Sequence, residues 1–515
     1  MMNLNLTEYR DKVLGCWTGK NIGGTLGLPF EGKQEMNAAE FYVQKLNGMP
    51  SPNDDLDLQL VWLHAAEDKG LYHLTPRLLG EYWMNHITAP WNEYSVCRLN
   101  IANGLYPPLS GSVNNDKWKF SNGAWIRSEI WACLFPGNPD EAIKFAYMDA
   151  CADHCGEGIY AEMFTAAIES AAFVISDLRK LINIALSKIP ADSLVARTVK
   201  LVCECYDAGK DFKEAREAVL AVNKDLGWFQ APGNLGFLVI GLLYGEGDFG
   251  KTLCRAVNCG DDTDCTGATA GSIMGIILGR SGIPQNWVKP IGETIQTISI
   301  NELSLAVPPT LSDLTDRVVR LAQIARTENP GLIKLDEEPS EIPEAHLASF
   351  TDSKVAELIW NRSPYELVFD LPYGCLSVVY ENGPVVESGK EKKITLILKR
   401  PQMNDTLIYF KWLLPESWQV KPVNGGTVFA KKNFTPSTMA KQTLLPGELK
   451  EPYTYIPLQL QLQGRNNPII IQVPFQSANM IEYNEMKLFC GDNDIRRIQK
   501  RGEDASYVHF EELFF

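Results

Sequence analysis

The chain has 515 residues, 45% of them hydrophobic and 22% charged, with a formal net charge of −15. That length favours two or three domains around at least one large core, and the acidic balance argues against a nucleic-acid backbone as main partner, since the basic run RRIQKR at Arg496 is too short to reverse it. No segment reaches the ~18 consecutive apolar residues that span a bilayer, the start MMNLNLTEYRDK lacks a signal-peptide pattern, and twelve cysteines without framework spacing fit reduced thiols in a cytoplasm.

Residues 1–335 read as an all-α domain. The first segment, GCWTGKNIGGTLGLPFEG, places glycine at 15, 19, 23 and 27. A step of four follows one ridge of a helix. Glycine costs ~1 kcal/mol against alanine inside a helix, so the ladder implies a side-chain-free face against another backbone. A break is expected near Gly23-Gly24, and Glu31 stands just past the end. In PNDDLDLQL, Asn53, Asp54 and Asp55 cap a predicted helix whose apolar face runs through Leu56, Leu60 and Leu63. GLYPPLSGSVNN, Gly104 to Asn115, reads as a loop between helices, either a plain connector or a pocket rim. Asn138-Pro139-Asp140-Glu141 starts a helix with Asn as N-cap and Pro in the first turn. Ala142, Ala146 and Ala150 follow at a four-residue step. In CADHC, Cys151, His154 and Cys155 offer three ligands on one short segment, where structural zinc wants four.

The stretch from Asn258 to Gly279, NCGDDTDCTGATAGSIMGIILG, sets three aspartates within four residues before fifteen uncharged ones, with a second ladder at Gly267, Gly271, Gly275 and Gly279. One aspartate satisfies a helix N-terminus, whereas three repel one another. If the two ladders pack together, Glu31 and these aspartates converge. Asp54, Asp55, Asp262 and Asp264 are hard oxygen donors suited to Mg²⁺ or Mn²⁺ and unsuited to zinc. Two adjacent cations would remove the repulsion.

Residues 336–362 read as a charged, Pro-containing linker. From 363 to 515 the hydrophobic period becomes two. LQLQLQ alternates Leu458, Leu460 and Leu462 with glutamine, and KITLILK places Ile394, Leu396 and Leu398 on one face. Asn382-Gly383 is a hairpin signal and Asn424-Gly425 another turn. A β-sandwich-like accessory domain is expected, with no cluster of acids, histidines or a nucleophile.

At the acidic motifs the chain resembles the ADP-ribosylglycohydrolase family. The likeness lies in GGTLGLPFE (Gly23 to Glu31), NDDL (Asn53 to Leu56), NGAWIR (Asn122 to Arg127), Asp153-His154 and DDTDC (Asp261 to Cys265), in that order through about residue 325. The resemblance implies an all-α fold with a binuclear Mg²⁺ centre, sometimes Mn²⁺, and cleavage of the bond between ADP-ribose and a modified side chain. By position, it implies metal ligands Asn53, Asp54, Asp55, Asp262 and Asp264. Glu31 or Asp55 would be the catalytic base, and Asn122, Gly123, Ala124 and His154 would bind ADP-ribose.

The departures from the family are specific. Asn53 replaces a threonine ligand, Leu56 a second threonine, Gly24 an aspartate and Cys265 a coordinating threonine. Thr266 takes the role of Cys265 only if the helix start shifts, and Asp261 falls on a family glycine, where it is expected to serve the helix terminus. The expected partners are an ADP-ribosylated protein or a small ADP-ribose conjugate, with no nucleic acid and no membrane. The alternatives are a metal-dependent hydrolase of another N-glycoside or nucleotide-sugar, or a non-catalytic ADP-ribose-binding relative, since fold does not fix function. Four aspartates argue against the last.

Overall fold

A computed structural model describes residues 2–399, 405–431 and 437–478; the basic run at Arg496 lies outside the described residues. The chain forms two compact units. One comprises the residues to Tyr94 with Lys117–Asn361, the other Ser95–Asp116 with the residues from Arg362 onward.

The first unit is built around two helices, α1 (Leu6–Gly27) and the one that begins at the acidic cluster, Thr263–Gly282. Their ladders meet backbone to backbone. Gly15 lies against Gly275, Gly19 against Gly271 and Gly23 against Gly267, and a Cβ on any of these six would overlap main-chain atoms of the opposing helix. The ladder steps thus place three successive turns of each helix in register. Gly27 extends the approach to the Thr263 carbonyl. The expected break at Gly23-Gly24 does not occur, because α1 runs on to Gly27. It is the second ladder that breaks, at Gly279, whose φ is +69°.

Other helices wrap this pair, among them Glu157–Ala172, Ala231–Tyr244 and Phe249–Val257. The helix predicted after Asn138 spans Pro139–Ala150 and buries Ala142, Ala146 and Ala150. Asn138 does not cap it with its side chain, whose Nδ2 donates to the Pro136 carbonyl instead. One small sheet interrupts the all-helical reading. Asn3–Asn5 pairs in parallel with Lys334–Asp336, tying the start of the unit to its far end.

The stretch 336–362, read from sequence as a linker, carries helices Glu344–Ser349 and Lys354–Trp360 that pack on the first unit. Buried Lys188 donates to the Asp352 carbonyl and to Asp140, and Trp360 Nε1 donates to the Lys188 carbonyl. Tertiary hydrogen bonds of this kind support short helices that a charged, Pro-containing composition does not announce.

Among the described residues, the second unit is a sandwich of two five-stranded sheets. Leu458, Leu460, Ile394, Leu396 and Leu398 all point into its core, as the alternation predicts. Asn382 and Gly383 both take positive φ, as a tight turn needs, yet the strands they join are not partners. Gly374–Tyr380 lies in one sheet and Val385–Val386 in the other. The Asn424-Gly425 turn likewise switches sheets, joining Gln419–Lys421 to Gly426–Ala430. Residues 104–115 are more than a plain connector, for Leu105, Leu109 and Val113 belong to the sandwich core.

Candidate metal centre and active site

The apposed helices bring the acidic motifs together. A second helix, α2 (Asp54–Lys69), starts beside them, with Asn53 as N-cap accepting from Asp55 N–H at 2.8 Å. The helix Thr263–Gly282, here α3, has Asp262 as its N-cap. Asp54 and Asp55 in the first turn of α2 therefore face Asp262 and Asp264 at the start of α3. Two groups of potential ligand atoms result, each within 4.8 Å: Glu31, Asp262 and Asp264 form one, and Asp55, Asp264 and Cys265 the other. Asp264 is common to both.

Each aspartate is held from behind. Tyr94 donates to Asp54 Oδ2 at 2.9 Å, and Asn122 Nδ2 donates to Asp262 Oδ2 at 2.6 Å. Asn53 Nδ2 reaches Asp264 Oδ2 at 3.4 Å. The Cys265 thiol lies 3.5 Å from Asp55 Oδ1. Lys20 Nζ stands 3.8 Å from Asp55 Oδ2 and 2.7 Å from Glu129 Oε1. Gln59 and Ser272 also donate to Glu129. Burial pulls the Lys20 ammonium down, but Glu129 and Asp55 outweigh this and hold it above its ordinary value.

The electrostatics fit a cation site. Burial first, then Asp264, pushes Asp54 up to about 6. Burial also carries Asp55 and Asp262 well above the usual carboxylate range, with Asp264 adding repulsion to both. The Cys265 thiol is raised by burial and by the same carboxylates. Among the described residues, Asp55 Oδ2 and Asp264 Oδ1 are buried without a hydrogen-bond donor. Buried carboxylate oxygens without donors are costly, and divalent cations would relieve both the orphaned oxygens and the mutual repulsion. The carboxylate oxygens of these aspartates and of Glu31 are hard donors of the kind that divalent cations take.

Other expected residues are placed differently. The Asn53 amide oxygen, read from sequence as a cation ligand, caps α2, and its nitrogen faces Asp264. Asp261 does not serve the helix terminus. Its carboxylate accepts from Phe229 N–H at 3.0 and 3.1 Å and from Asn234 Nδ2 at 2.8 Å. Thr266 turns its hydroxyl to the Thr263 carbonyl at 3.3 Å, leaving Cys265 at the centre. Gly123, Ala124 and His154 are buried rather than presented on an open wall. His154 Nδ1 lies 2.7 Å from Asp153 Oδ1, and its Nε2 is 3.2 Å from Ser121 Oγ. Gly123 N–H donates to Glu93, and Arg127 joins the Gly123 carbonyl to Asp149 and Asp153. Burial raises Asp153, but Arg127 and His154 overcome it and bring the carboxyl down to about 2. This buried network fixes the Asn122 turn that points at Asp262. Sequence reasoning did not find Lys20, Gln59, Tyr94 or Glu129. Lys20 is the single charge in the glycine-rich run from Gly15 to Pro29, which was the available signal.

Among the described residues no helix is long and apolar enough to cross a membrane. Residues 5–327 match the family model described as ADP-ribosylglycohydrolase. The chain is also similar to a protein of Archaeoglobus fulgidus described as uncharacterized, at 22% identity over 294 residues, which span 54% of this chain and 91% of that protein. With the model match covering well over half of the chain and the acidic centre, the chain belongs to the ADP-ribosylglycohydrolase family, hydrolytic enzymes that act on glycosidic bonds of ADP-ribose conjugates.

Proposed function

We propose that the protein hydrolyses the bond between ADP-ribose and a modified side chain or small acceptor, at a centre of two divalent cations, Mg²⁺ or Mn²⁺. The observation that carries this reading is the convergence of Asp55, Asp262 and Asp264, with Asp54 close enough to feel the charge of Asp264, where Asp55 and Asp264 each carry a buried oxygen without a donor. These four aspartates would hold the cations. When bound, such cations orient a ribose diol and lower the pKa of a water.

The protein's own groups divide the remaining work. Glu31 is exposed at the edge of the group it shares with Asp262 and Asp264. It is the carboxylate able to exchange a proton with water at the reacting carbon. Asp55 is 1% exposed and faces Lys20, so it serves as a ligand whose charge Lys20 balances. Asn53 orients Asp264, and Asn122 orients Asp262. Gly123, Ala124 and His154 act behind the surface, fixing that turn. Twelve cysteines without framework spacing fit a cytoplasmic location.

The test is incubation with ADP-ribosylated proteins, small ADP-ribose conjugates and other N-glycosides, with and without Mg²⁺. Release of ADP-ribose that needs the cation, and is lost in Glu31→Gln, supports the reading. Turnover of only the other glycosides, or undiminished turnover after chelation, overturns it.

A further inference from the structure

The two ligand groups are chemically unequal. Glu31, Asp262 and Asp264 supply only carboxylate oxygens, whereas the group of Asp55 and Asp264 contains the sulfur of Cys265. Cys265 is 5% exposed and sits in the first turn of α3. The thiol does not stand alone. Asp55 Oδ2 and Asp264 Oδ1, on the two other members of its group, are buried and lack hydrogen-bond donors among the described residues. Thr266, the neighbouring hydroxyl that would offer a hard oxygen, is turned away to the Thr263 carbonyl.

Mg²⁺ demands oxygen ligands and octahedral geometry. A thiolate favours first-row transition cations, whose affinity for such sites rises from Mn²⁺ through Fe²⁺ and Co²⁺, with Zn²⁺ also well served. Building on the metal-centre reading above, we propose that the Asp55–Asp264–Cys265 subsite binds a thiolate-seeking transition cation, and that Mg²⁺ is confined to the all-carboxylate subsite. On binding, the sulfur donates an electron pair to the cation and the thiol proton leaves to solvent. No atom changes oxidation state.

Co²⁺ added to the metal-free full-length chain reports the bond directly. The parent should develop a near-ultraviolet sulfur-to-cobalt charge-transfer band. Calorimetry in two buffers of different ionisation enthalpy should show about one proton more released per Co²⁺ by the parent than by Cys265→Ser, as thiol coordination requires. Cys265→Ser and Cys265→Thr should both lose the band and bind Co²⁺ at least roughly tenfold more weakly, the lower end of the loss seen even for outer ligand partners. Their Mg²⁺ affinity should move less. Excess Mg²⁺ should leave the parent's band standing. Co²⁺ binding without the band, a band that survives in both variants, or its displacement by equimolar Mg²⁺ would overturn the thiolate subsite while leaving a metal centre intact. Absence of binding by both Co²⁺ and Mg²⁺ would instead overturn the metal centre itself, and the subsite with it.

Discussion

Asn53 occupies the space that Gly24 leaves open: a Cβ built on Gly24 would stand 2.5 Å from Asn53 Nδ2. The same amide nitrogen reaches Asp264 Oδ2. Two departures from the family pattern, 29 positions apart by their numbers, are therefore one feature in space. Gly24→Asp alone should displace the amide and destabilise the protein, whereas Gly24→Asp with Asn53→Thr should recover much of the loss. The expected coupling is about 0.5–3 kcal/mol, the range for residues in contact. Denaturant unfolding of the four proteins in the cycle measures it, and strict additivity would separate the two positions.

The ladder makes a sharper claim than general helix packing. At Gly19 and Gly271 each glycine faces the carbonyl group of the other, so neither neighbour can move a side chain aside. Overpacking typically costs ~1–3 kcal/mol, occasionally more, and backbone on both sides places Gly271→Ala at the upper end. Gly233→Ala is the control. It lies in a helix with only Asn223 Cβ at 4.0 Å, and should be neutral or stabilising by roughly 0.5–1 kcal/mol. Equal unfolding midpoints for Gly271→Ala and the parent would refute the close approach.

Each ladder was legible because its spacing lies within one helix, where periodicity and geometry coincide. Which glycine meets which was not, since register between α1 and α3 depends on two segments far apart in the chain. The same limit hid the buried pair Lys20 and Glu129, separated by 109 positions. Asn382-Gly383 was legible as a turn from its own backbone preference. That it changes sheets was not, because a turn specifies its angle and not its partner strand. Asp54, Asp55, Asp262 and Asp264 could be found as an excess of negative charge beyond what helix caps require. Asn53 looked like an oxygen donor, and only the fold shows that this oxygen also accepts the Asp55 N–H at the start of α2.

Acidity of the centre makes stability depend on pH in opposite ways without and with cations. Aspartates ionise near 3.9 in the unfolded chain, while Asp54 is held at about 6 and Asp55 and Asp262 well above the usual range in the metal-free fold. From about pH 4 upward the folded form then holds more protons than the unfolded one, so stability contributed by these groups falls as pH rises through the folded values. Cations favour the ionised carboxylates. Mg²⁺ or Mn²⁺ should therefore raise Tm more at pH 7.5 than at pH 5. Asp262→Asn should raise the metal-free Tm at pH 7.5 and abolish the cation-dependent increase. A cation effect on Tm that is independent of pH, or unchanged in Asp262→Asn, would contradict this.

Asp261 separates loop anchoring from metal binding. Its backbone is left-handed, with φ at +67°, which suits the glycine of the family pattern. Its side chain contributes something glycine cannot, by accepting the Phe229 N–H and the Asn234 amide. Asp261→Gly should keep cation affinity and relieve the backbone, yet lose those acceptors at a cost of about 1–3 kcal/mol for buried donors left unsatisfied. Asp262→Asn should do the reverse, losing cations while preserving the fold. Calorimetric titration and thermal unfolding of both variants distinguish the roles; loss of cation binding in Asp261→Gly would place that residue in the centre.

Removal of the sandwich tests whether the helical unit is self-sufficient. A cut near Glu338 would sever the stretch carrying Glu344–Ser349 and Lys354–Trp360, which belongs to the first unit. Cutting after Asn361 respects that boundary but leaves residues 95–116 behind. In that segment Leu105 and Leu109 are fully buried and Val113 is 6% exposed, all within the sandwich core. Fully burying one such side chain contributes ~1.5–3 kcal/mol, so stripping the sandwich exposes three apolar side chains together. The fragment ending at Asn361 should therefore aggregate or be cleaved by protease within 95–116. A fragment that also replaces 95–116 by a short Gly/Ser linker should be more soluble, and its Mg²⁺ titration then reports on the acidic centre alone. If the simple truncation at Asn361 is monomeric, protease-resistant and as stable as the parent, residues 95–116 do not depend on the sandwich for their burial.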